Sequence, residues 1–358
     1  MFFRDMIDKT ICLLKAAVKK RVLLYEICRV ISGVVVYKTL QRRFGNVHIV
    51  LIRGASGDVY IQYGLLDAYL SQNSIKNFAI AGDGLGIIPL GKMYAHKAVL
   101  LSTRASEHLE RAYLFLNGKG MNIVFPFRCS DSFSMANKCR IRMLERYDFM
   151  DTYSYFSFNL SERTVCQLPN LVEADEQNIL IWQQKGIIKG QTVLLSPDAN
   201  SITCLPIWFW NGIILDLRQR GYVVFINCNY QTYFRAPNLF SPWNMSVQML
   251  EYCGFFLGAR SGFCDIISSA KCKKVIIYPA IQKNVNYSFH RSEAEFSSLE
   301  KMGLSSADNL VELSTPLLQN ITDKETMLTG TEHFVSSLEK LRKEILEQFP
   351  TIREEREI

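Results

Sequence analysis

The sequence predicts an α/β protein built from two doubly wound halves, each a parallel sheet covered by helices, with a cleft between them. Three observations predict this. Short apolar runs of strand type alternate with segments of helical periodicity. The alternation breaks off in residues 128–185 and restarts at Thr192. In the second series, Gly254 to Pro279 reads as strand, turn, helix and strand within twenty-six residues. Alternation of this kind places crossover helices on both faces of a parallel sheet.

In the first series, Val47 to Ile52 is a continuous apolar strand and Gly54-Ala55-Ser56-Gly57-Asp58 a turn. Val59 to Leu70 has helical spacing through Ile61, Leu65, Leu66 and Tyr69. Phe78 to Ala81 and Ala98 to Leu101 read as strands, Ser106 to Leu116 as a helix with Ser106 at its N-cap, and Met121 to Phe125 as a further strand. Gly82-Asp83-Gly84-Leu85-Gly86 lacks the spacing of a dinucleotide fingerprint and reads as a cleft loop. Residues 128–185, rich in aromatic and polar side chains, read as helices and loops ending in a linker near Gln184-Lys185-Gly186.

The second series opens with a strand at Thr192 to Leu195 and the loop Ser196 to Ser201. A helix from Ile207 to Arg220 stops at Gly221, with Trp208 and Trp210 as packing residues. Tyr222 to Ile226 is a strand and Ser246 to Tyr252 a short helix. A strand then ends at Gly258-Ala259, Arg260-Ser261-Gly262 turns, a helix starts near Phe263, and Lys274 to Tyr278 is the next strand. Leu310 to Leu313 reads as a last strand, and Glu332 to Phe349 as a helix stopped by Pro350. The expected organisation is an arm at 1–46, a Rossmann-like half at 47–185, a second at 186–330, and a C-terminal helix at 331–358.

Charge singles out the arm. Residues 1–46 hold ten Lys and Arg against three acids, so they carry the whole net charge of +7, and the remaining body is formally neutral. A neutral body excludes a nucleic-acid-binding domain, which shows a basic face on the fold itself. The apolar runs of the arm are interrupted by Lys19-Lys20-Arg21 and Arg29, so none approaches the ~20 residues of a membrane span. Two readings stand: one or two basic amphipathic helices on an anionic membrane surface, or helices packed on the body or a partner. The first implies a cytoplasmic protein, peripheral on the inner face of the plasma membrane. The ten Cys are scattered, with no C-x-x-C, as reduced cytoplasmic thiols are. The five His show no metal spacing and no D-x-D stands between strands, so no metal site is expected.

The candidate site residues lie where strands end and helices begin. A helix start offers backbone N–H groups to an anion. Arg260, Ser261 and Gly262 combine such a turn with a guanidinium and a hydroxyl, so a phosphate group is the natural guest. Each residue has a structural role open beside this one. Arg260 pairs with a diphosphate or with Asp265. Ser261 caps the helix, binds phosphate, or does both. Asp265 accepts from a sugar hydroxyl or caps N–H groups. Ser196, Asn200 and Ser201 form a second anion loop or an ordinary turn. Asp58 is a general base or the cap of its helix.

Two of these segments resemble one family. The run from Val47 to Tyr69, with Gly57-Asp58 in its loop, resembles the first strand and Gly-Asp loop of bacterial heptosyltransferase-type glycosyltransferases. The resemblance implies a GT-B-like fold and implies that Asp58 is the catalytic base, with Ser56 and Gly57 in the acceptor loop. Leu257 to Pro279 resembles the family's nucleotide-sugar loop, a strand followed by Asp-Thr-Gly-x-x-His: Ser261-Gly262 match the Thr-Gly, whereas Arg260 replaces the Asp and Asp265 the His. ADP-heptose is therefore not carried over as the donor. The form Gly-x-Arg-Ser-Gly-x-x-Asp is also similar to that of bacterial capsule and surface-polysaccharide transferases.

The expected activity is transfer of a sugar from a nucleotide-diphosphate donor to a glycan or lipid-linked acceptor in capsule, O-antigen or lipopolysaccharide synthesis. It calls for no cofactor beyond the nucleotide sugar and no metal. Two other readings stay open: a nucleotide-sugar epimerase of the same architecture, for which no convincing acid/base set is found, and a non-catalytic membrane-tethered scaffold, which the changed Asp and His positions keep open.

Overall fold

The computed structural model describes residues 2–116, 118–124, 148–169, 171, 173–199, 205–228, 233–278, 297–305, 307–315 and 332–352, with the side chains of all but 2–20, 156, 307 and 332–334. The chain begins with one helix, α1 (Phe2–Phe44), where one or two were expected. It continues β1 (His48–Ile52), α2 (Ser56–Gln72), β2 (Phe78–Gly82), α3 (Ile87–Met93), β3 (Ala98–Leu100), α4 (Thr103–Phe115) and β4 (Ile123–Val124). A single turn, α5 (Phe149–Asp151), leads into a π-helix at Thr152–Ser157. Then come α6 (Glu176–Gln184), β5 (Thr192–Ser196), α7 (Ile207–Gln219), β6 (Val223–Ile226), α8 (Trp243–Cys253), β7 (Gly254–Ala259), α9 (Gly262–Ile266), β8 (Lys273–Tyr278), β9 (Leu310–Ser314) and α10 (Glu332–Glu347).

The strands form two sheets, ordered β3-β2-β1-β4 and β6-β5-β7-β8-β9. Every pairing between these strands is parallel. Side chains alternate across each sheet, so each strand feeds two cores. Ile49 and Leu51 face an outer core shared with Val30, Tyr37 and Leu40 of α1 and Leu109 of α4. Val50 and Ile52 face an inner core that runs unbroken into the second half, through Leu194, Phe256 and Ile266. Val193 and Leu195 face a third core with Phe209, Trp210 and Ile213 of α7 and Leu341 of α10. Trp210 is fully buried, a packing residue as expected. An ion pair from Arg342 to Asp216, at 2.6 Å, fastens α10 to α7.

The helices at Ile207 and Glu332 start where expected, whereas two in the first half do not. The residue capping α4 is Ser102, whose Oγ accepts from the Ala105 N–H at 3.2 Å. Ser106 is buried inside that helix instead, because Thr103 to Ala105 already take helical geometry. The helix expected from Val59 begins at Ser56, so Gly57 and Asp58 belong to its first turn. At the far end of α8, Gly254 takes the left-handed conformation (φ +94°), which lets the chain leave the helix and enter β7 without a linker. Asn200 and Ser201 of the expected anion loop lie outside the described residues, as do residues 125–147.

The arm divides its faces. Val30, Gly33, Tyr37 and Leu40 turn toward the body, and the Tyr37 hydroxyl accepts from the Asn122 N–H at 3.0 Å. Ion pairs join Arg29 to Glu107 and Arg111 to Glu26. Packing on the body therefore holds for the second part of α1. Val22, Leu23, Leu24, Tyr25, Ile31 and Val35 remain exposed. Among the described residues, no helix is long and apolar enough to cross a membrane.

Gly33 sets the closeness of α1 and α4, since a Cβ there would lie 1.9 Å from the His108 carbonyl oxygen and 2.7 Å from the Ala112 Cβ. Gly33→Ala should gain helix propensity of about 1 kcal/mol yet destabilise the protein by roughly 1–3 kcal/mol, because a backbone atom must move to admit the methyl group. Urea unfolding measures the sign; a stabilised variant would show that α1 does not pack there.

Candidate functional site

Two helix starts meet between the halves. A Cβ on Gly57, in the first turn of α2, would lie 2.7 Å from the Gly262 Cα and 2.4 Å from the Asp265 Oδ2. A Cβ on Gly262, the first residue of α9, would lie 2.7 Å from the Gly57 nitrogen. Only two glycines face to face allow this approach. Each lies just beyond the C-terminal end of a central strand, β1 in one sheet and β7 in the other. This is the edge at which doubly wound sheets bind ligands.

Asp58 sits beside this contact as the third residue of α2. Ala55 holds the N-cap position in extended geometry and has no side-chain oxygen to cap with. Asp58 answers part of that need: its Oδ2 accepts from the Ala55 N–H at 3.2 Å. Its Oδ1 accepts from the hydroxyl of Tyr153, which the π-helix carries in. Gly54, at φ +121°, gives the loop room, since a Cβ there would come within 2.9 Å of the Asp58 Cβ. The helix-start role offered for Asp58 by its sequence position is therefore present, and the carboxylate remains part-exposed beside the meeting of the halves. Ser56 precedes Gly57 at the first position of α2.

On the other side, Arg260 is buried and turned inward. Its Nη2 meets Asp265 Oδ1 at 2.6 Å, its Nε donates to the Ser297 carbonyl at 3.1 Å, and its Nη1 donates to the Ser261 carbonyl at 2.6 Å. Of the two roles open for Arg260, the ion pair with Asp265 is the one this geometry forms. Burial is the largest single influence and works against the guanidinium charge, but Asp265, Tyr278 and Cys264 together outweigh it and hold Arg260 above its ordinary value. For Asp265, burial dominates and raises the carboxyl; Arg260 opposes the rise, and the charge of Asp58 adds to it. Ser261 occupies the N-cap position, yet its hydroxyl makes no capping bond and lies 3.7 Å from the Cys264 sulfur. Ser196 ends β5 in register with Gly258 of β7, one strand away from the turn.

The structure thus brings Ser56, Gly57 and Asp58 against Gly262 and Asp265, with Arg260, Ser261 and Ser196 alongside. Two further features escaped the sequence. Tyr153 lies 95 residues from Asp58 in a segment with no readable period, so nothing local signals the pairing. Arg53, just past β1, meets Asp83 at 3.0 Å and Glu110 at 2.5 Å. That network pins the loop after β2 to the loop after β1. Among the described residues, no group of three or more His, Cys, Asp or Glu is arranged to hold a metal ion.

No protein-family model matches the chain, and no curated protein matches it. Among solved structures, the chain is similar to the ADP-heptose lipopolysaccharide heptosyltransferase II of E. coli, with a TM-score of 0.50 and 13% identity over 84% of this chain and 99% of that one. It is also similar to a glycosyl transferase family 9 protein from Veillonella parvula, with a TM-score of 0.47 and 11% identity over 83% of this chain and 97% of that one. The first likeness is one of fold: two parallel sheets in the GT-B-like arrangement.

Breaking the buried pair tests its energetic role. Arg260→Met should destabilise the protein by about 3–5 kcal/mol near neutral pH, because it strands a buried carboxylate. Without its cation, Asp265 keeps burial and the charge of Asp58, both of which raise it. The folded variant then binds a proton more tightly than the unfolded chain, so the deficit is full at about pH 8 and shrinks toward about pH 5. Unfolding free energies across that range check it; a deficit independent of pH would contradict the arrangement.

Proposed function

We propose that this protein is a glycosyltransferase that moves a sugar from a nucleoside-diphosphate donor to a glycan or lipid-linked acceptor in surface-polysaccharide synthesis, lipopolysaccharide included. One observation carries the reading. Asp58 and the Arg260-Ser261-Gly262 turn stand at the C-terminal edges of separate parallel sheets, and the Gly57–Gly262 contact brings them together. The fold likeness to a heptosyltransferase supports it.

In this reading the acceptor hydroxyl gives its proton to Asp58 while its oxygen bonds the anomeric carbon. The bond from that carbon to the diphosphate breaks, and the diphosphate leaves with the electron pair. The Tyr153 hydroxyl and the Ala55 N–H fix the plane of the Asp58 carboxylate. The backbone of the Ser261-Gly262 turn and Ser196 receive the diphosphate, together with Asn200 and Ser201, four and five residues past Ser196 in sequence. The Arg260–Asp265 pair holds the turn's shape from beneath, and Asp265 accepts from a hydroxyl of the sugar donor in this reading. The glycine contact leaves no room for a sugar between the helix starts, so loading requires the halves to part there.

A second reading, a non-catalytic scaffold of polysaccharide assembly, is favoured by one observation. The guanidinium of Arg260 is spent on Asp265 and two carbonyls, where the heptosyltransferase pattern has Asp and His. Product analysis with UDP-, GDP-, ADP- and CMP-sugars separates the two. Asp58→Asn should keep fold and nucleotide binding but lower turnover by about 10²-fold or more, the scale of a lost general base. A variant that melts lower and keeps its turnover would leave Asp58 as a helix-start residue alone.

The exposed part of α1 is proposed to seat the protein on an anionic membrane surface. Val22 to Tyr25, Ile31 and Val35 are exposed beside Arg21, Lys38, Arg42 and Arg43. Each basic group near such a surface contributes up to about 1 kcal/mol, screened by salt. Sedimentation with liposomes should show binding to anionic vesicles that weakens with salt. Equal binding to neutral vesicles, or none to either, would assign that face to another protein surface.

A further inference from the structure

Arg163 stands between the segment that carries Tyr153 and the second half. Its Nη2 meets Asp148 Oδ2 at 2.7 Å and donates to the Lys301 carbonyl at 2.6 Å, and its Nη1 lies 3.7 Å from Asp151 Oδ1. Asp148 and Asp151 close the single turn α5 on itself. Asp148 Oδ1 accepts from the Asp151 N–H at 2.9 Å, and Asp151 Oδ2 accepts from the Asp148 N–H at 2.8 Å. Both residues are buried, so two carboxylates stand close together with little water. Burial, the largest influence, raises the Asp151 carboxyl; the Asp148 N–H and Arg163 oppose the rise, and the charge of Asp148 adds to it. Among the described residues, Arg163 is the cation that pairs with both. Buried carboxylates need such a partner.

The π-helix begins at the next residue, Thr152, whose hydroxyl donates to the Asp148 carbonyl at 3.2 Å. Tyr153 follows, so α5 sets the aim of the hydroxyl that donates to Asp58. On its other side Arg163 reaches the turn at 297–304, which also grips Arg260. The Ser297 carbonyl accepts from Arg260 Nε, and the Met302 sulfur lies 3.8 Å from Arg260 Nη2. Packing adds to the tie, since a Cβ on Gly303 would lie 3.8 Å from Val165 Cγ1. A planar guanidinium with its fork of N–H donors can join two carboxylates and a carbonyl, which a shorter amide cannot. We propose that Arg163 is a positioning residue for the transfer reaction. It ties the turn that aims Tyr153 at Asp58 to the turn that grips Arg260, so the base takes its working orientation when the second half is seated. This inference rests on the reading of Asp58 as the base.

The test is nucleotide release by the full chain from UDP-, GDP-, ADP- and CMP-sugars, with a lipid-linked glycan or water as acceptor. Tyr153→Phe should lower kcat by about 10-fold or more and leave the donor KM unchanged, the scale of a lost hydrogen bond to a charged group. Arg163→Gln should lower kcat roughly 3- to 10-fold, again with the donor KM unchanged, because it misplaces a group without touching the donor. Added to Tyr153→Phe it should cost nothing further, since Arg163 acts through Tyr153. Asp151→Asn keeps a capping acceptor and removes the charge facing Nη1; it should show the same pattern and serves if Arg163→Gln folds poorly. Wild-type kcat in these variants, losses that multiply in full with Tyr153→Phe, or losses confined to KM or to the melting temperature would overturn this inference alone. A wild-type protein that releases no nucleotide from any of these sugars would overturn the transfer reading and this inference together.

Discussion

The approach of Gly57 to Gly262 is the constraint on which the rest depends. It joins the first turn of α2 to the first turn of α9 with backbone against backbone. Any side chain at either position would hold the halves apart and separate Asp58 from Asp265. The flanking structure is arranged around this contact. Gly54 clears the Asp58 carboxylate, the π-helix delivers Tyr153 to it, and Arg260 compensates Asp265 from the opposite side. Two carboxylates thereby share one small region with the Arg260 guanidinium: burial and the charge of Asp58 raise Asp265, and Arg260 opposes them.

The cores on either side supply the rigidity. The inner core crosses from one sheet to the other without a break, and the outer cores clamp each sheet with two helices, α1 and α4 on one and α7 and α10 on the other. Polar networks fix the strand ends that carry the site. Arg53 ties β1 to the loop after β2 through Asp83, and Glu312 of β9 accepts from the Tyr278 hydroxyl and the Leu299 N–H. The turns that meet at the seam are therefore held from behind, as placement of reacting groups requires.

The sequence made the sheets and their order of appearance legible because a parallel strand buried on both faces is a continuous apolar run, as at Val47 to Ile52 and Phe255 to Ala259. It also made Asp58, Ser261 and Gly262 stand out, since small residues and an acid after a strand leave few local explanations. Helix starts were less legible. Ser102 and Ser106 are equally good caps by type, and the first turn of α2 looks like a loop because Gly57 is there for the other half of the protein. Partners distant in sequence were invisible: nothing near Tyr153 points to Asp58, and while the pairing of Arg260 with Asp265 was one of two roles its sequence left open, nothing near it points to the Ser297 carbonyl. The arm was legible in charge and not in packing, because the four body-facing residues of α1 follow from Gly33 meeting His108.

The most direct test of the central claim, that a nucleotide-sugar site lies where the two helix starts meet, is hydrogen–deuterium exchange of the full chain with and without nucleoside diphosphates. The account predicts that one nucleoside diphosphate slows exchange in residues 258–266 and 54–60 together, one segment from each half. No protection by any of them, or protection confined to segments away from both helix starts, would contradict it.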